Sequence, residues 1–258
     1  QGTDKWPGYF PDSLPSNLDI GLGSPTAIAF GTNSHFPEAY RNALFILDWA
    51  YGKIFAVHLT PDGASYHGRF EEFVTGRPLN VTGADFGPDG ALYFTTGGRR
   101  TQSGLYRVRF TGKPKEASGL TALGQTHLEA AKQSRELRRR LEVFHSEQSI
   151  EGLGLAWDNL SHDDFWIRHA ARVALENQPI KRWTLPALTE SDPKRALTAL
   201  MALARVADAK VPPQVVARLN DLPWEGLALE WQLVALRTYQ LAFIRMDAGT
   251  VYDRKSTI

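Results

Sequence analysis

The stretch GPDGALYFTTGGRRTQSGLYRVRF, residues 87–110, decides the fold of the first half of the chain. It contains two apolar runs, ALYFTT and LYRVRF, on either side of a loop with three glycines and two adjacent arginines. The PDG at 88–90 repeats the PDG at 61–63, 27 residues earlier. In such turns proline presets φ and glycine accepts a positive φ. The matching turns predict a repeated β unit.

The hydrophobic period changes from two to 3.6 residues along the chain. Residues 24–110 alternate between short apolar runs and turns, as β-strands do. From residue 126 onward the apolar positions recur at helical spacing, which predicts helices over 126–145, 165–177, 194–206, 213–222 and 224–246. Ser161 is predicted to cap the second of these helices, with Asp164 three residues later. Asp192 and Pro193 are predicted to begin the third.

The expected fold is therefore an α+β multidomain chain. We predict an N-terminal extended segment at 1–23, a partial β-propeller at 24–112, a linker at 113–125 and a HEAT-like helical repeat region at 126–258. The β part holds only two or three blades, since a blade takes about 40–50 residues. Either the helices and the N-terminal segment cover an open sheet, or the chain is a piece of a longer protein. We favour the second, because uncovered edge strands are a liability.

Composition argues against several classes of function. The formal net charge is +1, which gives no reason to expect a nucleic-acid partner, and no apolar run approaches the ~18 residues of a membrane span. The absence of cysteine argues against a CxxCH haem attachment. The sequence has no nucleotide-binding, zincin or GxSxG motif. The histidines are scattered, so no metal site is predicted from them.

Two stretches of the β half resemble a known family. SPTAIAF with ALFILDWAYGKIFAVHL, and PLNVTGADFGPDGALYFTTGGRRTQSGLYRV, are similar to the last propeller blades of secreted "membrane-bound dehydrogenase" or haem-binding proteins of planctomycete-type bacteria. That propeller is similar to the one in the glucose/sorbosone dehydrogenases that use pyrroloquinoline quinone. LSHDDFWIRHAARVALENQPIKRW and DPKRALTALMALAR resemble the HEAT-like segment that follows it.

The resemblance implies part of a quinoprotein-like sugar or alcohol dehydrogenase that passes electrons to a c-type cytochrome. It implies a periplasmic or secreted location, and partners in the remaining propeller and a cytochrome c domain of the same or another chain. No cofactor is expected on this chain, which we expect to be inactive alone, whereas the full-length protein could hold pyrroloquinoline quinone, calcium and haem. Family members often carry an acidic residue where Gly83 stands, and Asp85 is close by. The alternative function is a non-catalytic protein-binding or assembly module.

Asp48 and Arg77 are the first two candidate cofactor-binding residues. Asp48 follows a strong apolar strand and is predicted either to bind a cation or sugar hydroxyl or, as we favour, to cap a turn. Arg77 precedes a proline, and its guanidinium fork suits the carboxylates of a quinone. A surface salt bridge to Glu71 or Glu72 is an equal alternative for Arg77.

Arg99 and Arg100 complete the candidate set. They lie in the glycine-rich loop with Gln102. Three interpretations are open, in order of preference: docking against acidic residues of the helical half, such as Glu129 and Glu142; binding of an anion; and plain solvation.

Overall fold

The computed structural model describes residues 10–98, 100, 102–113, 122–208 and 210–253, with only the backbone described at 122–123 and 247–253. The chain forms two compact units. One is Asn17–Glu129, which we call the β unit. The other combines Gln1–Ser16 with Ala130–Ile258, and we call it the helical unit. The N-terminal residues that the structure describes, 10–16, therefore belong with the helices.

The β unit contains two antiparallel sheets. Four strands in the order β1-β2-β3-β4 form the first sheet: β1 (Pro25–Phe30), β2 (Ala43–Asp48), β3 (Lys53–Asp62) and β4 (Ser65–Thr75). Three strands form the second: β5 (Val81–Phe86), β6 (Leu92–Thr96) and β7 (Gly104–Val108). A short helix, α1 (Glu38–Arg41), connects β1 to β2. Consecutive strands are neighbours throughout both sheets.

Strand alternation explains the core that the two sheets share. In β2 the side chains of Ala43, Phe45 and Leu47 are buried, whereas Leu44 and Ile46 between them are half-buried. The Phe45 ring contacts Phe36, Phe73 and Phe86 edge-on. The second sheet contributes Val81, Leu92 and Phe94 to the same cluster. Both sheets therefore bury one face in a single core.

The prediction of a partial β-propeller with two or three blades is wrong. The described residues form one four-stranded and one three-stranded sheet over a common core, within an α+β fold. Both PDG stretches do form turns: the first lies in the β3–β4 hairpin and the second joins β5 to β6, with Gly63 and Gly90 at φ 49° and 68°. Turn chemistry fixes the conformation of each connection, but it carries no information about how separate sheets are arranged.

The helical unit is built around one central helix. Its helices are the end of α2 (Ala122–Val143), then α3 (Ile150–Asp158), α4 (Phe165–Asn177), α5 (Thr184–Thr189), α6 (Pro193–Val206), α7 (Pro212–Asp221) and α8 (Leu229–Asp253). Residues 196–204 of α6 are all buried. The helices α4, α5, α7 and α8 all pack against α6. No helix in the described part of the chain is long and apolar enough to cross a membrane.

The helices α4 and α6 each begin after an aspartate whose side chain caps the first turn. Asp192 caps α6 by accepting a hydrogen bond from the amide of Arg195 at 2.7 Å, with Pro193 in the first turn, as predicted. The cap of α4 is Asp164, which accepts from the amides of Trp166 and Ile167 at 2.8 and 3.3 Å. The prediction of Ser161 as this cap is wrong, because α4 begins only at Phe165.

A pair of substitutions distinguishes the two candidate caps of α4. Asp164→Ala is expected to lower the free energy of unfolding by about 1 kcal/mol, since two amides of the first turn lose their acceptor. Ser161→Ala should change it by less than about 0.5 kcal/mol. Urea unfolding of both variants measures the difference. Equal losses would contradict the assignment of Asp164 as the cap.

Candidate functional site

The structure places Asp48 at the end of β2, buried with 2% of its surface exposed. Its Oδ1 accepts hydrogen bonds from the amides of Ser24 and Ala50 at 2.8 and 3.0 Å. A Cβ added at Gly23 would lie 3.0 Å from this carboxyl group, so the backbone approaches it closely. These contacts are what a turn-capping aspartate makes. The roles in cation or sugar binding stay predictions.

Calcium binding at Asp48 would need further oxygen ligands beside its carboxylate. Calcium takes about six to eight oxygen ligands, with several from carboxylates. The described residues contain no group of three or more His, Asp or Glu side chains that could hold a metal ion. Asp48 itself already accepts two backbone hydrogen bonds. Calcium binding at Asp48 therefore stays a prediction.

Arg77 is exposed and belongs to the segment between β4 and β5. It lines a shallow depression with Gly52, Gly76 and Leu79. The carboxylates suggested as its salt-bridge partners have other contacts: Glu71 is 3.1 Å from His58 Nε2, and Glu72 pairs with Lys53. Binding of a quinone carboxylate by Arg77 stays a prediction.

Of the paired loop arginines, Arg99 lies outside the described residues. Arg100 is exposed and has a left-handed backbone at φ 62°. Glu142, one of the acidic residues suggested as a docking partner, bonds Arg138 of its own helix at 2.7 Å. Docking and anion binding by the two arginines stay predictions.

In the helical unit, arginines from different helices converge on one N-terminal segment. Residues 10–16, FPDSLPS, form neither helix nor strand, and we call them the strap. Asp12 of the strap is bound by two arginines from different helices. Its Oδ1 accepts from Arg237 Nε at 2.8 Å, and its Oδ2 accepts from Arg205 Nη1 at 2.8 Å and Arg237 Nη2 at 3.1 Å. The Asp12 side chain is only 5% exposed, so this carboxylate is held almost entirely by guanidinium groups.

The backbone and a ring of the strap are also bound. Arg172 Nη2 donates to the carbonyl of Asp12 at 3.2 Å, and the His169 ring hydrogen-bonds the Asp12 backbone. The guanidinium of Arg237 lies 4.4 Å from the centre of the Phe10 ring, which is a cation–π contact. We call Arg172, Arg205 and Arg237 the arginine clamp. The clamp therefore contacts the strap through backbone, carboxylate and aromatic ring.

Electrostatics fix the charge states at this contact. Burial raises the pKa of Asp12, but the hydrogen bond from Arg237 and the charges of the whole clamp outweigh burial and leave this pKa below its ordinary value. Burial, followed by the positive charges of Arg172, His145 and Arg205, lowers the pKa of His169 from 6.5 to about 3. At neutral pH Asp12 is therefore charged and His169 is neutral.

A cavity of about 210 Å³ lies beside the strap, among α4, α6 and α8. Its walls are mainly apolar and include Phe165, Met201, Leu233 and Val234, together with strap residues. Arg168 reaches it from α4, where only 6% of its surface is exposed. This guanidinium lies 4.5 Å from the Trp231 ring centre and 5.6 Å from that of Phe165. The cavity thus combines apolar walls with a buried cation.

The groups around the cavity suit binding better than catalysis. The neutral imidazole of His169 is a weak base, because its conjugate acid has a pKa near 3. The hydroxyl of Thr198 donates to the carbonyl of Lys194 at 3.3 Å, within its own helix. Arginines carry fixed charge and do not exchange protons at neutral pH. The arrangement can therefore hold an anion.

Sequence reasoning missed the strap and the clamp. Asp12 lies in an N-terminal stretch that we predicted only as extended, and Arg205 and Arg237 lie in helices predicted only from their apolar spacing. One signal was present: each arginine lies in a largely apolar helix, where a buried guanidinium needs a carboxylate partner. The sequence gives no means of finding a partner as distant as Asp12.

No protein-family model, curated protein or solved structure matches this chain. The resemblance to the planctomycete-type dehydrogenases therefore stays an expectation. The function rests on the geometry of the strap, the clamp and the cavity.

Proposed function

We propose that the helical unit is a non-catalytic protein-binding module that binds an extended, proline-containing segment with one acidic side chain. The observation that carries the proposal is the capture of Asp12 by Arg205 and Arg237, with Arg172 on its carbonyl. The strap is the ligand that the chain itself supplies. A partner segment of the same chemistry would compete for the same contacts.

Segment recognition of this kind has a physical basis in the strap contacts. A segment without secondary structure leaves its backbone groups open to a receptor, and proline lowers the entropy lost on binding. Arg172 and His169 contact the backbone, whereas Arg205 and Arg237 select a carboxylate. Arginine forks suit this task because they bind both carboxylate oxygens with defined geometry. Specificity would therefore come from the acidic side chain.

Because the strap is part of the same chain as the clamp, it competes with any partner segment for the clamp. A tethered segment acts at a high effective concentration, so a free partner segment of equal quality competes poorly while the strap is bound. Weakening the strap at Asp12 should make the clamp available to a partner segment without altering the clamp itself. The proposal therefore predicts that one substitution in the strap increases binding of a separate peptide.

A labelled peptide GYFPDSLPSN, the sequence of residues 8–17, tests this prediction by fluorescence anisotropy. We expect the full chain carrying Asp12→Asn to bind the peptide at least about tenfold more tightly than the parent chain, because its own strap competes less. A control peptide with asparagine in place of its aspartate should lose about tenfold in affinity for the variant chain. Equal affinity of both peptides, or no gain in the variant chain, would contradict the proposal.

The quinone-dependent dehydrogenase role stays a prediction from the resemblance, as do its cytochrome partner, its sugar or alcohol substrate and its periplasmic or secreted location. Adding pyrroloquinoline quinone and calcium to the full chain with a dye acceptor tests it. Reduction of the dye with any of a broad set of sugars and alcohols would show an enzymatic activity that the protein-binding proposal does not include.

A further inference from the structure

We infer that the cavity beside the strap binds a small monocarboxylate with an apolar body. This inference goes beyond the binding of a protein segment, because it concerns the space that the strap leaves open. It rests on the unused hydrogen-bonding capacity of the buried guanidinium groups and on the apolar character of the walls, and each is an independent observation.

The guanidinium of Arg168 is hydrogen-bonded mainly to neutral acceptors. Its Nη1 donates to two neutral acceptors, the carbonyls of His162 and Asp163, at 2.5 and 3.2 Å. Its Nη2 lies 3.5 Å from Oε2 of the Glu230 carboxylate. The Glu230 side chain is 59% exposed, whereas that of Arg168 is 8% exposed. A long contact from a solvated carboxylate compensates a buried cation poorly.

A second guanidinium in the cavity wall also retains hydrogen-bonding capacity. Arg172 is 1% exposed, and its Nε is buried without a hydrogen-bond partner among the described residues. Its Nη1 bonds Glu176, but that carboxylate is shared with Arg205. A buried donor without an acceptor costs free energy, which an added acceptor recovers. The wall therefore favours an anionic oxygen.

The carboxylates near the cavity and clamp are already shared, except for Glu230. Asp12 and Glu176 contact two arginines each. The charges of Asp163 and Asp164 also act on Arg168, but the carbonyl groups of His162 and Asp163 are what its Nη1 contacts. The exposed Glu230 at the edge of the cavity is therefore the carboxylate that a bound anion would replace at Arg168.

The remaining walls define the rest of the ligand. Phe165, Met201, Leu233 and Val234 offer carbon surface, and Pro11 of the strap adds more. The volume of about 210 Å³ is below the roughly 300–1,000 Å³ of pockets for drug-sized ligands. A carboxylic acid with a short aliphatic or aromatic body fits both the charge and the size. A dicarboxylate would leave its second charge against carbon.

Calorimetric titration of the parent chain with butanoate, hexanoate and octanoate, each beside its matched primary alcohol, tests the inference. We expect at least one acid to bind about tenfold or more tightly than its alcohol, since only the carboxylate offers Arg168 a charged acceptor with two oxygens. Equal affinities for acids and alcohols would overturn the inference, as would the absence of binding by every compound. The strap stays in place throughout, so this result does not depend on peptide binding.

Two variants locate the site. Glu230→Gln removes the competing carboxylate and should tighten binding of the acids about threefold, with no effect on the alcohols. Glu225→Gln, an exposed change just before α8, is the matched control and should leave every affinity at the parent value.

Met201→Trp fills the cavity and should abolish binding in a chain whose thermal unfolding remains cooperative. Undiminished binding in that folded variant would overturn the location, as would no response to Glu230→Gln. If Met201→Trp does not fold, the Glu230→Gln result decides.

Discussion

Asp12→Asn is expected to release the strap and to lower the free energy of unfolding by about 3 kcal/mol. Asparagine keeps the shape of aspartate but removes its charge, and its amide nitrogen cannot accept a hydrogen bond from a guanidinium. Arg205 and Arg237 would then lose a shared carboxylate that is 5% exposed in the parent chain. Urea unfolding followed by circular dichroism measures this loss.

The control for this prediction is the same chemical change at an aspartate outside the strap. Asp158→Asn alters an exposed aspartate at the end of α3 and should change the free energy of unfolding by less than about 0.5 kcal/mol. Similar losses in both variants would indicate a general effect of charge and would contradict the specific role of Asp12.

Acidification is expected to destabilise the helical unit through His169. Its pKa is 6.5 in the unfolded chain and about 3 in the folded one, so the unfolded state binds the proton first as pH falls. The stabilisation is fully present above pH 6.5 and is lost progressively down to about pH 3. Over that window the shift corresponds to about 5 kcal/mol. Asp12, whose folded pKa is also lowered, adds a further loss below its ordinary value of 3.8.

Substitution of His169 tests the assignment of this pH dependence. His169→Gln keeps a polar side chain that does not titrate, so the variant should lose much of the decline in stability between pH 6.5 and pH 4. His127→Gln, at an exposed histidine of α2, is the matched control and should follow the parent profile. Urea unfolding at a series of pH values gives the comparison. A parent-like slope in the His169 variant would show that other groups cause the decline.

The helices of this chain are predictable from local sequence, because each is defined by the spacing of its own apolar residues. The stretch KRALTALMALARV is apolar on nearly all sides, and it forms α6, the buried centre of the helical unit. Caps are less certain where candidates lie close together: Ser161 and Asp164 both suit the role, and the residue adjacent to the helix takes it.

The arrangement of the sheets is not contained in the same local signals. Alternation identifies strands, and the PDG turns identify two connections between strands, but neither specifies that two sheets share one core. That core is formed by rings far apart in sequence, such as Phe36, Phe45 and Phe86. A repeated turn was therefore insufficient evidence for a propeller.

The candidate site is the least predictable part for the same reason. Asp12 and Arg237 are separated by 225 residues, and Asp12 and Arg205 by 193. No periodicity or motif connects such positions in one sequence. Asp48 and Arg77, chosen for their local context, lie at a turn and on an exposed segment, and neither belongs to the strap or the clamp.

The central claim is that the arginine clamp holds the strap as a bound segment. The natural chain contains no cysteine, so spin labels can be attached at Ser16→Cys in the strap region and Leu185→Cys on α5, both exposed positions. Pulsed electron paramagnetic resonance then measures the distance between the labels. We predict one narrow distance distribution at pH 7 and a broad one when Asp12→Asn is added. A distribution that is equally narrow, or equally broad, in both chains would contradict the claim.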